Sequence, residues 1–355
     1  MISKVKERAV FVDALRGIAA LSVVWFHVYK KTLYAPISSP RLPEPFHAYL
    51  HHADVGVAVF FVISGFAIAA SVQGSAISAS FVGRFVLRRS IRLDPPYWAT
   101  IALELVLIAV SRELMHERTS EYPSAPQVVS HLIYSQSFFG YGHIVAVFWT
   151  LCVEIQLYLA FVLLLAIVQR LPVRFGTIAI FAPMLLLSLV APYYSDALAQ
   201  NTFLIRYWYL FFGGVLAYWT VYAELHSGWL LTYICALSLS LATPMQNLST
   251  AIAIVTTCLI WHAGNRAKLT VWLSGSVFQW LGRISYSLYL VHLPISGRAI
   301  NFATHAIRLP AGRGGQLCLL AIGTGASLVA AQVLYKVVEK PSLALSRRIR
   351  KAASP

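Results

Sequence analysis

FVDALRGIAALSVVWFHVY, Phe11 to Tyr29, is long and apolar enough to cross a bilayer, which takes about 20 residues of helix. It nevertheless carries Asp13, Arg16 and His27. An ionisable group at bilayer depth costs about 2.5–3.5 kcal/mol or more, so these three are expected to face protein or water rather than lipid. At about 100° per residue, the eleven steps from Arg16 to His27 come within about 20° of three full turns. Both therefore fall on one helix face, about 16 Å apart along the axis. Such a polar seam marks a functional pathway. The plainer alternative is a bundle helix in which Arg16 pairs with Asp13 and His27 bonds a neighbouring carbonyl.

Outward from this stretch the chain keeps the same character. Of its 355 residues 58% are apolar and 12% charged, and a mean hydropathy of +0.69 excludes a soluble globular or disordered chain. The fold class expected is all-α, a polytopic membrane helix bundle. The net charge of +15 does not call for nucleic acid, because the basic residues are spread over short loops between apolar runs. Cys152, Cys235, Cys258 and Cys318 lie in apolar runs without metal-ligand spacing, so they read as small core residues and no metal is expected. The basic start lacks a clear small-residue cleavage site, which favours a retained first span over a signal peptide.

About ten spans are predicted, at approximately 11–29, 53–71, 95–111, 146–168, 174–192, 203–221, 229–243, 248–264, 284–302 and 316–336, within one transmembrane domain covering 1–355. With the N-terminus in the cytoplasm, 18 of the 28 Lys and Arg fall inside and 7 outside, leaving Arg16, Arg206 and Arg298 in spans. That asymmetry places both termini in the cytoplasm. Lys30 to His52 and Arg112 to Val145 become the longest outer loops. The basic tail Arg347 to Lys351 needs only attraction to anionic inner-leaflet lipid.

Two further stretches carry charge where it costs most. FVGRFVLRRSIRLDPPYW, Phe81 to Trp98, gathers Arg84, Arg88, Arg89 and Arg92 on a short amphipathic helix that Pro95 and Pro96 are expected to end before the third span. Guanidinium forks match phosphate oxygens, so a coenzyme with several phosphates suits this cluster; an anchor to anionic lipid is the alternative. FWTLCVEIQLY, Phe148 to Tyr158, buries Glu154 in a span at a depth within reach of His27. A carboxylate beside an imidazole is a base with its orienter. Alternatively Glu154 is protonated, or paired with Arg206 or Arg298. His292 lies beside Pro294 in ISYSLYLVHLPI, where a structural role is the plainer reading; His262 and Glu104 offer less.

Six fragments in order, DALRGIAALSVVWFHV, DVGVAVFFVISGFAI, RRSIRLDPPYW, FWTLCVEIQLY, LGRISYSLYLVHLPI and VEKP, resemble the membrane-bound acyltransferase family three, whose members include bacterial O-acetyltransferases of glycans. The resemblance spans nearly the whole chain. It implies a ten-helix transferase core that takes an acyl group, usually acetyl, from cytoplasmic acetyl-CoA to a hydroxyl at the extracytoplasmic face. It sets Arg16 and His27 on the family's Arg, ten residues, His hallmark, Arg89 and Arg92 on its Arg-x-x-Arg element, and Glu154 and His292 on its glutamate and second histidine. Thr150 replaces the usual Ser, Ile155 a common second Glu, and Asp94 a common aromatic, so Asp94 partly offsets the arginines.

Together these readings make His27 the catalytic base, Glu154 its orienter and Arg16 a residue lining the path and contacting the coenzyme, with Arg88, Arg89 and Arg92 on the phosphates. A covalent acyl-histidine is the competing route. The expected partners are acyl-CoA, a glycan or glycolipid acceptor and the lipids of a bacterial inner membrane. Tyr34, His47, His51, His52, Tyr141 and His143 are available to the acceptor on the outer loops. The rival class is a proton-coupled transporter or flippase, which would also bury Arg, His and Glu on several spans.

Overall fold

The computed structural model describes residues 8–33, 42–115, 121–171, 173–190, 203–223, 225–241, 248–306 and 312–352. Among these the chain is helical with no β-strand, as the run of apolar segments requires where every backbone group must be satisfied within its own segment. The helices are α1 (Val10–Leu33), α2 (Glu44–His51), α3 (Gly56–Val72), α4 (Ala79–Met115), α5 (Ala125–Leu132), α6 (Trp149–Val168), α7 (Val173–Val190), α8 (Leu204–Tyr222), α9 (Ser227–Leu241), α10 (Leu248–Asn265), α11 (Ser276–Ala306), α12 (Arg313–Leu334) and α13 (Lys340–Ala352).

Six helical stretches among the described residues are long and apolar enough to cross a membrane: Val10–Leu33, Ala53–Val72, Ala79–Glu113, Ala146–Val168, Leu248–Asn265 and Arg313–Ile349. The described parts of the other four expected spans are helical as well, in α7, α8, α9 and α11, but are too short or too polar to meet that measure alone. Tyr34 and the end of the 174–192 span lie outside the described residues.

The chain gathers into two compact units interleaved in sequence. The first takes the start of α1, then α3, the start of α4, α6 to α10 and the beginning of α11. Lipid tails are as apolar as leucine, so close packing rather than water exclusion holds such helices together, and small residues permit it. Gly65 of α3 sits against the carbonyl of Phe211 on α8, and Gly214 of α8 against that of Val62; a Cβ at either glycine would collide with backbone. Around this crossing Phe161, Phe211, Phe212 and Tyr233 are fully buried, and the Tyr233 hydroxyl donates to the Tyr209 carbonyl at 2.7 Å. Gly17 on α1 and Gly282 on α11 make a second close crossing, where a Cβ on Gly17 would come within 2.5 Å of the Gly282 nitrogen.

The second unit holds the rest of α1, α2, nearly all of α4, α5, most of α11, and α12 and α13. Two sequence expectations change here. First, Pro95 and Pro96 do not end a helix: α4 runs unbroken through both for 37 residues, joining the arginine stretch to the expected third span. Membrane helices keep such prolines where Ser/Thr side chains and neighbouring helices bond the backbone around them. The Thr100 hydroxyl donates to Pro96 O at 2.8 Å, and Tyr286 of α11 donates to Leu93 O at 2.8 Å.

Second, the 112–145 stretch is not simply a loop beyond the bundle. The Tyr122 ring lies 5.0 Å from the Arg112 guanidinium, the Trp98 indole donates to Leu132 O at 3.1 Å, and the Tyr134 hydroxyl donates to Asp94 at 2.9 Å. From Tyr122 to Tyr134 the segment thus runs back along α4 from Arg112 to Asp94, about 27 Å of helix. Tyr134 turns there with φ +57°, and its ring stacks on Tyr97 at 4.8 Å. The returning strand of chain reaches Val147, whose carbonyl accepts from Tyr289 of α11 at 3.3 Å.

After α12 the helix widens into a π turn at Tyr335–Glu339. There Glu339, only 5% exposed, accepts from the Ser287 hydroxyl at 2.6 Å and its backbone N–H at 3.2 Å. Single π turns of this kind concentrate at functional sites.

Candidate active site

In the first unit, Arg16 lies on the first turns of α1. Its guanidinium donates to Gly282 O at 3.1 Å and stands 3.6 Å from Asp13, which also takes Arg8 at 2.5 Å. Part of the plainer reading of Arg16 is therefore present: it pairs with Asp13 and clasps α1 to α11. Glu154, half-buried on α6, takes a hydroxyl from each of two directions. Ser64 of α3 donates at 2.7 Å, and Tyr158, one turn along α6, donates to the same oxygen. Arg206 stacks on Tyr207 at 5.7 Å.

In the second unit α1 continues without a break, carrying His27 half-buried. The His27 ring centre lies 5.3 Å from that of His292 on α11, with 39° between the planes. His292 is fully buried. Its Nδ1 lies 2.8 Å from Tyr289 O and 3.2 Å from Leu288 O, and carbonyls only accept, so Nδ1 carries the hydrogen and Nε2 is a bare lone pair. That Nε2 is buried with no hydrogen-bond partner among the described residues. The Tyr289 ring, 5.9 Å from His292, ties this place to Val147 on the returning segment.

Two polar clusters flank the histidine pair along the helices of this unit. Toward the start of α4, Arg88, Arg89 and Arg92 are half-buried and Arg84 is exposed, with the Arg89 guanidinium 5.7 Å from the Phe85 ring. Asp94, expected to offset these charges, is buried and turned to hydroxyls, accepting from Ser90 and Tyr134. Beyond His27, the buried Tyr29 shares a 2.5 Å hydrogen bond with Nδ1 of His47 on α2, and the His47, His51 and His52 rings follow at 5.8 and 4.9 Å. Tyr49 joins the same face of α1 through Ser22 at 3.2 Å and the Trp25 ring at 6.2 Å.

Sequence reading thus selects His27 and Arg16 correctly as residues of one helix. It does not foresee that His292 lies beside His27, 5.3 Å away between ring centres. It gives no sign of Ser64 or Tyr158 as donors to Glu154. Arg298, one of the partners offered for Glu154, instead holds Glu104 with both terminal nitrogens, at 2.9 and 3.0 Å.

A family model described as "Acyltransferase domain", from acyltransferase family three, matches residues 10–336. Nodulation protein 10 of Rhizobium leguminosarum bv. viciae is 28% identical over 247 residues, which is 62% of this chain and 64% of that protein. The chain thus matches under two thirds of that relative's length. No solved structure matches. With the family model covering nearly the whole chain, several of whose helices are long and apolar enough to cross a membrane, the chain belongs to acyltransferase family three.

Proposed function

We propose that this acyltransferase moves an acetyl group from cytoplasmic acetyl-CoA to a hydroxyl of an extracytoplasmic glycan or glycolipid in a bacterial inner membrane, with both chain termini in the cytoplasm. The observation that carries the reading is the half-buried His27 on an unbroken α1, flanked in its own unit by an arginine cluster on α4 and by a row of histidines on α2. Arg88, Arg89 and Arg92 bind the coenzyme phosphates, and Arg16 contacts the coenzyme along the path.

A bare nitrogen of His27 takes the proton of the acceptor hydroxyl as its oxygen bonds to the thioester carbonyl carbon. The carbon–sulfur bond breaks, and the imidazolium returns the proton to the leaving thiolate, giving the ester and free coenzyme. Glu154 contributes the negative charge that a reaction passing through an imidazolium calls for. His47, His51 and His52 hold the hydroxyl-rich acceptor. The 18 to 7 partition of basic residues supports the orientation.

The test is release of free thiol from acetyl-CoA by the purified protein in the presence of candidate glycans. Acceptor-dependent thiol release with a mass gain of one acetyl on the glycan is expected. An intact thioester with every acceptor would return the chain to the carrier class.

A further inference from the structure

An imidazole serves as a base only if one nitrogen is bare and its partner holds the hydrogen. In the resting ring the two tautomers differ little in energy, so something must choose between them. Glu154 was the sequence's choice for His27, but the described donors to that carboxylate are the Ser64 and Tyr158 hydroxyls. The second unit contains a different candidate. His292 is locked by two backbone carbonyls with its hydrogen on Nδ1, and its lone pair at Nε2 is sealed from water without a partner. An orphaned buried acceptor is costly, and one donor recovers that cost. The ring beside it is His27, and a centre-to-centre distance of 5.3 Å is the span of an in-line N–H···N contact with about 2.9 Å between nitrogens. His292 is immobilised and His27 is half-buried, so His27 is the ring that turns to make the bond.

We propose that His292 is the positioning residue of the site: its Nε2 accepts the N–H of His27 and so fixes which nitrogen of His27 is bare toward the acceptor hydroxyl. Resting on the proposed role of His27 as base, the assignment hands the choice of tautomer to a neutral imidazole and leaves Glu154 an electrostatic part. No proton moves between the two histidines in the resting enzyme. Once His27 has taken the acceptor proton, the same Nε2 holds the imidazolium in line for return of that proton to the thiolate.

Two substitutions separate positioning from mere packing. His292→Asn keeps an N–H near Nδ1 for the Tyr289 and Leu288 carbonyls but removes the acceptor. His292→Gln gives up that anchor and puts an amide oxygen near the place of Nε2. If His292 positions His27, the Asn variant loses kcat by about 10²-fold with the KM for acetyl-CoA unchanged, and Gln loses less. If His292 only braces α11, Asn does as well as Gln or better, which overturns the proposal.

Nitrogen-15 NMR of ring-labelled protein in nanodiscs gives a readout that needs no turnover, with resonances assigned by His27→Ala and His292→Ala. A hydrogen on Nδ1 of His292, and a single His27 tautomer that becomes mixed in His292→Asn, are expected. A His27 tautomer unchanged in His292→Asn, or a bare Nδ1 on His292, refutes the assignment. Absence of thioester cleavage by the wild-type protein would sink the proposed reaction alone, because the NMR result stands apart from it.

Discussion

Arg298 on α11 grips Glu104 on α4 in a two-pronged ion pair, and one prong also donates to Pro294 O at 2.9 Å. Both side chains are largely withdrawn from solvent, at 28% and 13% exposure. Removing one partner leaves the other charged and buried, so Arg298→Ala should destabilise by at least about 1–3 kcal/mol. Arg298→Lys should recover only part of that, because an ammonium lacks the fork. Thermal unfolding in detergent measures both. The double variant Glu104→Leu with Arg298→Met should be more stable than either single charge deletion, and additive losses would show that the pair is not coupled.

With His27 as the proposed base, its loss should be felt in turnover rather than in folding. A positioned base contributes about 10²–10⁴ in rate, so His27→Ala in a protein that purifies as a folded species should fall by that much. Glu154→Gln should fall less. Removing both hydroxyl donors to Glu154, with Ser64→Ala and Tyr158→Phe together, should approach the Glu154→Gln loss. Retention of more than about a tenth of wild-type turnover by His27→Ala would move the role of base elsewhere.

Donor binding should track the α4 arginines. Arg89→Ala and Arg92→Ala are each expected to raise the KM for acetyl-CoA severalfold with a smaller change in kcat, and Lys to rescue in part. Titration of desulfo-CoA, which cannot react, measures the same loss as affinity. Equal affinity in all four variants would leave these side chains with the lipid headgroups.

The glycine crossings tolerate no added volume. Gly214→Ala should destabilise by about 1–3 kcal/mol or prevent assembly of the first unit, because the new methyl would meet the Val62 carbonyl rather than a side chain that can move aside. Gly83→Ala, at a position with open space around its would-be Cβ, is the control and should be stable. Yield of monodisperse protein and melting temperature report the difference.

The segment that folds back along α4 should loosen in acid. His131 donates from Nδ1 to Gln127 O at 2.8 Å and accepts at Nε2 from the Ile144 N–H at 3.1 Å, so both nitrogens are used by the neutral ring. Burial holds its pKa below the ordinary 6.5, against a smaller opposing effect of the Gln127 carbonyl, and His143 is pushed down likewise by burial and by His131. A group held neutral in the fold contributes stability that is complete above the unfolded pKa and is lost as pH falls through the lower folded value. Hydrogen exchange of the 125–145 amides should therefore slow from pH 7.5 to pH 5 by less than the fall in the base-catalysed chemical rate predicts, so that their protection factors drop, and His131→Gln should flatten that drop.

How far the sequence can be read differs from residue to residue. The strongest spans show in hydropathy and length, so α1, α3, α6 and α12 stand close to where they are expected. Polar partners across long separations do not. Ser287 and Glu339 meet over 52 residues, and His27 and His292 over 265, and periodicity says only that each faces inward, not toward whom. The two prolines mislead because their usual helix-breaking effect is set by water-exposed helices, whereas here Thr100 and Tyr286 occupy nearby carbonyls. The 121–145 stretch misleads because α5 is eight residues long, indistinguishable by pattern from a loop, and its course is fixed by Trp98 and Asp94 on a helix that gives no sequence sign of receiving it.

The unbroken α4 has a mechanical corollary. Within the second unit Arg89, Arg92 and Glu104 ride on a single rod, and about 18 Å of it separates Arg92 from Glu104. A hinge at the prolines would let a tug on the arginines dissipate where it arose; a stiff rod transmits it as torque to the far pair, and through Arg298 to the helix that bears His292. On the proposed assignment of the arginines to the coenzyme, filling that end and tuning the histidine end are then not separate adjustments, and a change that softens the rod, such as Thr100→Gly, would uncouple them while leaving every charged group in place.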